Sequence, residues 1–224
     1  MKKQNIGSID LTKNEVTKIA TICINNYNKR NAMSVSMIKQ FDEVITELQE
    51  WYSGKFIIII GKNGFFCSGA DLDFVRNNCQ NFDSGYQYST SMHSLLARLQ
   101  SLPLLTVAAI DGQALGGGAE IATACDIRVM TRNAKIGFIH ILVGVTTGWS
   151  GGTRLTRLLG CHKALDLMMS GKVLSAEQAF DLGLSNHIFN NIHSNEQFIE
   201  QIAKWLNNDL NINDRNNRVC AELL

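Results

Sequence analysis

The sequence predicts an α/β fold in a single domain, and three observations carry that prediction. Two apolar runs too short for helices, "KFIIIIG" and "LLTVAAIDG", read as strands buried on both faces of a largely parallel sheet. Between and after them lie stretches whose apolar residues recur at helical spacing. No fixed sequence period and no low-complexity linker divides the 224 residues, so strands and helices share one core.

In chain order, "VTKIATICIN" (Val16–Asn25) alternates as a strand, and "SMIKQFDEVITELQEW" sets Met37, Phe41, Val44, Ile45 and Leu48 on one helical face. "KFIIIIG" follows and stops at Gly61. A polar, glycine-containing loop leads to "SMHSLLARLQSL", a helix ended near Pro103, since proline lacks the N–H that a helix needs. After the strand "LLTVAAIDG" come Gly116, Gly117 and Gly118, just ahead of Glu120. Glycine in a helix costs about 1 kcal/mol relative to alanine, so three at a helix start point to something approaching the backbone closely. "CDIRVMT" reads as a further strand. "WSGGTRLTRLLG", "KALDLMMSG" and "SAEQAFDLGL" are short helices divided by glycines, and patterning fades after about Trp205 into an asparagine-rich tail.

With 21 basic against 20 acidic residues, no charge excess points to nucleic acid or to a membrane surface as partner. The six cysteines are scattered, without a CxxC pair or clustered histidines, so the expectation is reduced core thiols and no metal site. "MKKQNIGSIDLTKNE" has neither the apolar run of a secretory signal nor the arginine-rich look of a transit peptide, and no stretch approaches the ~20 apolar residues of a membrane span. The expected location is the cytosol.

"FIIIIGKNGFFCSGADL" and "LLTVAAIDGQALGGGAE" share one grammar: a buried strand, a glycine-bearing turn, a small residue. If the strands are neighbours in one sheet, both turns fall at the same edge. The backbone N–H groups of Ala70 and Gly117 would then converge on one oxygen as an oxyanion hole.

"FFCSGADL" and "IDGQALGGGAEIATACDIRV" resemble the two signature regions of the crotonase (enoyl-CoA hydratase/isomerase) superfamily, with "GGTRLTRLLG" and "SAEQAFDLGL" in the expected order, over roughly residues 10 to 190. The resemblance implies a spiral of ββα units with shortened C-terminal helices. It divides the chain into an acyl-CoA-binding domain, residues 1–190, and a short polar helical tail, 191–224. It further implies an acyl-CoA thioester as substrate, with coenzyme A part of that substrate and no separate cofactor, and a homotrimer. Ala70 and Gly117 would hold the thioester oxygen as an enolate forms. Lys29, Arg30, Asn31 and Ala32 in "NKRNAM", together with Ser68, Gly69, Asp71, Leu72 and Gly116, would contact the coenzyme A moiety.

Hydratases of this superfamily present two glutamates to a water molecule. Glu120 matches the first, but four residues before Gly144 the second position holds His140. A histidine there fits a substrate that supplies its own carbanion: loss of carbon dioxide from a malonyl-type thioester leaves the enolate, and only a proton donor is still needed. "WYSGKFIIIIGKNGFFCSGADL", "ALGGGAE", "GFIH" and "TGWSGGTRL" together resemble the superfamily members that decarboxylate ethylmalonyl and methylmalonyl thioesters. Glu120 and His140 would orient the leaving carboxylate or protonate the enolate, in an order the sequence leaves open. Trp149 is either a wall limiting the α-substituent or a core residue. His93, His162, His187 and His193 have no motif support. An enoyl-CoA hydratase or isomerase of fatty-acid oxidation, and a non-catalytic binder of acyl-CoA or of a protein partner, are the alternative functions.

Overall fold

The computed structural model describes residues 7–208. The chain opens with a hairpin, β1 (Ser8–Asn14) and β2 (Ile19–Asn25), followed by α1 (Val35–Gln49), β3 (Phe56–Gly61), α2 (Leu72–Asn78) and α3 (Phe82–Gln100). Then come β4 (Leu105–Ile110), β5 (Gln113–Leu115), α4 (Gly117–Ala124), β6 (Ile127–Thr131), β7 (Lys135–Gly137), α5 (Gly151–Leu159) and α6 (Cys161–Ser170). The last elements are β8 (Val173–Ser175), α7 (Ala176–Asp181), β9 (His187–Phe189) and α8 (Asn195–Asn208).

Two sheets result. The larger has the order β1-β2-β3-β4-β6-β9, parallel throughout except for the β1-β2 hairpin; the smaller is β5-β7-β8. Each of β4 and β6 runs through the large sheet, and the chain then crosses into the small sheet as β5 or β7 before turning into a helix. That repeat of long strand, short strand and helix is the spiral the resemblance implies.

The side-chain alternation of β3 explains why "FIIIIG" is apolar throughout. Ile57 and Ile59 face the core packed by α1, α3 and α4, while Phe56, Ile58 and Ile60 face a second cluster. That second face is closed by α8, which lies within the stretch expected as a C-terminal tail and buries Phe198, Ile202 and Leu206 at i, i+4, i+8. Helix starts are capped where the sequence offers short polar groups: Ser34 accepts from the Met37 N–H, and Asn81 and Ser175 each form a reciprocal capping box.

Three kinds of element depart from the sequence reading. Strand β1 buries only Ile9, because it is the edge strand and its other residues are solvated. Helix α2 buries none of its residues, so it presents no apolar stripe to read. Strands β5, β7, β8 and β9 have three residues each, too few for a period to register. Of the cysteines, Cys67 and Cys125 are buried, and burial pushes both thiols up to about 12; Cys161 is exposed, and Cys220 lies outside the described residues.

Candidate active site

Strands β3 and β4 are parallel neighbours, so the turns that follow them leave the sheet at the same edge. The first turn is tied to the second by backbone hydrogen bonds: the Phe66 and Cys67 N–H groups both donate to Gln113 O at 3.1 Å, and the Leu115 N–H donates to Cys67 O at 3.0 Å. Around Ala70 the chain also bridges to Met33, whose N–H donates to Gly69 O at 2.7 Å and whose carbonyl accepts from the Asp71 N–H at 3.1 Å. This pairing uses the residues on either side of Ala70. Its own N–H, and that of Gly117 at the first position of α4, have no acceptor among the described residues.

The two turns are nearly in contact. A Cβ placed on Gly69 would lie 2.7 Å from Gly117 N, and Gly69 has φ +93°, so glycine is required there both for space and for conformation. Within the glycine triplet, a Cβ on Gly118 would fall 2.0 Å from Cys67 O, and one on Gly117 would fall 2.2 Å from the Trp149 ring. The triplet therefore serves two purposes. Gly118 lets α4 pack against the first turn, and Gly117 leaves room for the indole of Trp149 beside it.

Both residues line a cleft of about 370 Å³, whose lining also includes Tyr88, Glu120, His140 and Trp149. Glu120 is buried on α4 and its carboxylate accepts three hydrogen bonds. Oε1 takes the backbone N–H groups of Trp149 (2.9 Å) and Gly151 (2.8 Å), and Oε2 takes His140 Nε2 (2.9 Å). His140 stands in a 3-10 turn, Ile139–Val143, after β7. Its other nitrogen, Nδ1, is buried without a partner among the described residues. The sequence placed these two residues in catalytic positions but did not show that they bond to each other.

The segment that carries Trp149 is held from two sides. Its N–H goes to Glu120, and its carbonyl accepts from the Arg154 guanidinium, whose Nε donates to Gln100 Oε1 at 2.9 Å. Burial lowers the Arg154 pKa and the nearby Glu120 opposes that shift. Thr147 contributes too, its hydroxyl oxygen accepting from the Gly152 N–H at 3.1 Å to cap α5. Trp149 combines the two expectations for it: the ring is buried and it lines the cleft. Tyr88 and Arg154 were not singled out from the sequence: no motif surrounds Tyr88, and Arg154, although inside "GGTRLTRLLG", reads there as one residue of a short helix.

The residues expected around coenzyme A divide into two groups. Ser68, Leu72 and Gly116 line the cleft with Ala70. Lys29 is engaged within the protein: its ammonium contacts Asp71 (2.7 Å to Oδ2) and Asp73 (3.0 Å), and those hydrogen bonds, Asp71 first, raise its pKa. Asp71 at the same time caps α2, accepting from the Asp73 N–H. Arg30 is exposed and lies over the Phe65 ring, 5.9 Å from its centroid. Ala32 is buried.

Asn31 is fully buried and its amide braces the loop. Oδ1 accepts from the Asn26 N–H at 2.8 Å, and Nδ2 donates to Lys62 O (2.9 Å) and Phe65 O (2.7 Å). Asn31→Ala would leave those backbone groups unpaired and put alanine at φ +56°. With each orphaned group costing about 1–3 kcal/mol, the variant is expected to lose several kcal/mol of stability in urea unfolding. A loss below about 1 kcal/mol would show that water replaces the amide.

Among the other histidines, His93 bonds through Nδ1 to Ser150 Oγ, and His187 stacks on Trp205 at 5.1 Å. Among the described residues there is no group of three or more His, Cys, Asp and Glu suited to a metal ion, and no helix long and apolar enough to cross a membrane.

Residues 14–215 match the family model described as enoyl-CoA hydratase/isomerase. The chain is 40% identical over 200 residues to the ethylmalonyl-CoA decarboxylase of Xenopus tropicalis, covering 89% of this chain and 66% of that protein. It is 42% identical over 182 residues to the ethylmalonyl-CoA decarboxylase of Xenopus laevis, covering 81% and 60% respectively. The chain thus spans less than two thirds of the length of these curated relatives. Its fold is similar to the crystal structure of an enoyl-CoA hydratase from Geobacillus kaustophilus HTA426, at a TM-score of 0.81 and 30% identity over 92% of this chain and 76% of that one. The family-model match spans most of the sequence, and the solved fold agrees with it: the chain belongs to the enoyl-CoA hydratase/isomerase family.

Proposed function

We propose that this chain decarboxylates a malonyl-type acyl-CoA thioester, with ethylmalonyl-CoA as the expected substrate and methylmalonyl-CoA as the second. The observation that carries the reading is the hydrogen-bonded Glu120–His140 pair beside two unpartnered peptide N–H groups in one cleft. The identity to ethylmalonyl-CoA decarboxylases supports the choice of substrate.

In this mechanism the Ala70 and Gly117 N–H groups form an oxyanion hole for the thioester oxygen. The bond between Cα and the carboxyl carbon breaks, carbon dioxide leaves, and the electron pair becomes the enolate, whose negative oxygen those donors stabilise. No base is needed to start the reaction. Glu120, already accepting three hydrogen bonds from its neighbours, acts as the anchor of His140. The imidazole delivers a proton to Cα and regains one from solvent, giving the saturated acyl-CoA. The Trp149 ring, fixed against Gly117, limits the α-substituent, where one methylene is worth only about 1–3 kcal/mol of discrimination. Coenzyme A lies along Ser68, Leu72 and Gly116. A cytosolic location and a homotrimer belong to the same proposal.

The test is carbon dioxide release from ethylmalonyl-CoA, with crotonyl-CoA hydration followed in parallel. Release without hydration is the expected result. Hydration without release would replace this reading with that of a hydratase, and thermal stabilisation by acyl-CoA with neither reaction would make the chain a binder.

A further inference from the structure

Two buried side-chain polar atoms lack a hydrogen-bond partner among the described residues, Tyr88 Oη and His140 Nδ1, and both belong to residues lining the same cleft. His140 is absorbed by the reaction above. Tyr88 is not, and a buried hydroxyl with no acceptor is costly in a resting protein.

The position of Tyr88 is well defined. It lies on α3, its ring packed between Phe74 of α2 (5.5 Å between centroids) and Trp149 (6.4 Å). Neither ring offers the hydroxyl an acceptor. The next residue, Ser89, has its own hydroxyl turned to Gly148 O, so α3 is held against the loop that carries Trp149. We propose that the Tyr88 hydroxyl is a substrate-binding group that donates a hydrogen bond to the α-carboxylate of the malonyl-type thioester, and so selects carboxylated acyl-CoAs over their uncarboxylated counterparts.

This rests on the decarboxylase reading for the identity of the acceptor. The chemistry of the cleft assigns the task to Tyr88. The Ala70 and Gly117 N–H groups are assigned to the thioester oxygen, Glu120 is taken up as the acceptor of three hydrogen bonds, and Arg76, the cation of the lining, is exposed on α2. Burial, reinforced by the neighbouring Cys79, Cys67 and Asp71, pushes the phenol pKa far above its usual value, so the hydroxyl keeps its proton. It is a hydrogen-bond donor and not an acid for the enolate. Beside it in the cleft the Trp149 ring solvates a charged carboxylate poorly but accommodates neutral carbon dioxide, which favours the bond cleavage. A site built to hydrogen-bond one substrate group discriminates strongly against the analogue lacking it, because its donor is then left buried and unpaired.

Tyr88→Phe removes one oxygen atom and keeps the ring. The experiment measures equilibrium binding of two ligands that do not turn over: butyryl-CoA, and 2-sulfobutyryl-CoA, in which a sulfonate replaces the scissile carboxylate. A hydrogen bond to a charged group predicts about tenfold or greater weakening for the sulfonate in the variant, with butyryl-CoA affinity unchanged. The unliganded variant is expected to unfold at the same temperature as the parent or higher, since an unpaired hydroxyl has been removed. Equal weakening of both ligands, or no weakening of either, overturns the proposal. Because neither ligand reacts, this result is independent of turnover; absence of carbon dioxide release from the parent protein would overturn the decarboxylase reading alone.

Discussion

His140→Ala is expected to lower carbon dioxide release from ethylmalonyl-CoA by about 10²–10⁴-fold, the range over which a positioned proton donor contributes. The substitution removes one of the three hydrogen bonds that Glu120 accepts and leaves the two from the Trp149 and Gly151 N–H groups, so the carboxylate stays anchored. Butyryl-CoA binding is therefore expected to persist. Added imidazole should restore part of the rate, because the vacated volume opens on the cleft and a free imidazole can carry the same proton. A loss smaller than about threefold would take proton delivery away from His140. A large loss without rescue, accompanied by lost butyryl-CoA binding, would make the pair structural.

Gly117→Ala is the second large effect, and its origin is steric. The added Cβ would lie 2.2 Å from the Trp149 ring, which is buried and whose backbone is bonded to Glu120 and to Arg154. Neither side can yield freely. Either the indole moves into the acyl space or the first turn of α4 shifts and carries the Gly117 N–H out of line. Removing one oxyanion donor costs about 10²–10³ in rate, and overpacking of this kind adds about 1–3 kcal/mol of instability. The double variant Gly117→Ala/Trp149→Leu separates the two causes: relief of the clash should return stability, while rate returns only if the donor was merely displaced. Unchanged carbon dioxide release in Gly117→Ala would show that this N–H does not hold the reacting oxygen.

The parts of this protein legible in its sequence are those where local pattern and burial coincide. Strand β3 is apolar at every position because both faces of the sheet are covered, and α1 shows its buried face through Met37, Phe41 and Leu48. The two glycine-bearing turns announced a site because glycine is forced at Gly69 and Gly118 by backbone approach and at Gly117 by the Trp149 ring, and such constraints are met best by a residue without a side chain. Strand β1 and the three-residue strands escaped notice because a half-solvated or very short strand carries no period.

What tertiary structure alone decided is which groups meet. Glu120 and His140 are 20 positions apart, on α4 and after β7, and they bond only because the spiral brings α4 and the 3-10 turn to one end of the sheet. Tyr88 approaches the same cleft from α3, where its helical spacing is that of an ordinary core residue. Sequence determined strands β2, β3, β4 and β6, the α1 face and the two glycine-bearing turns, since each depends on residues within one turn, helix or strand. The meeting of Glu120 with His140 and the burial of an unpartnered hydroxyl in a residue lining the same cleft are long-range outcomes, and they exist only after the chain has folded.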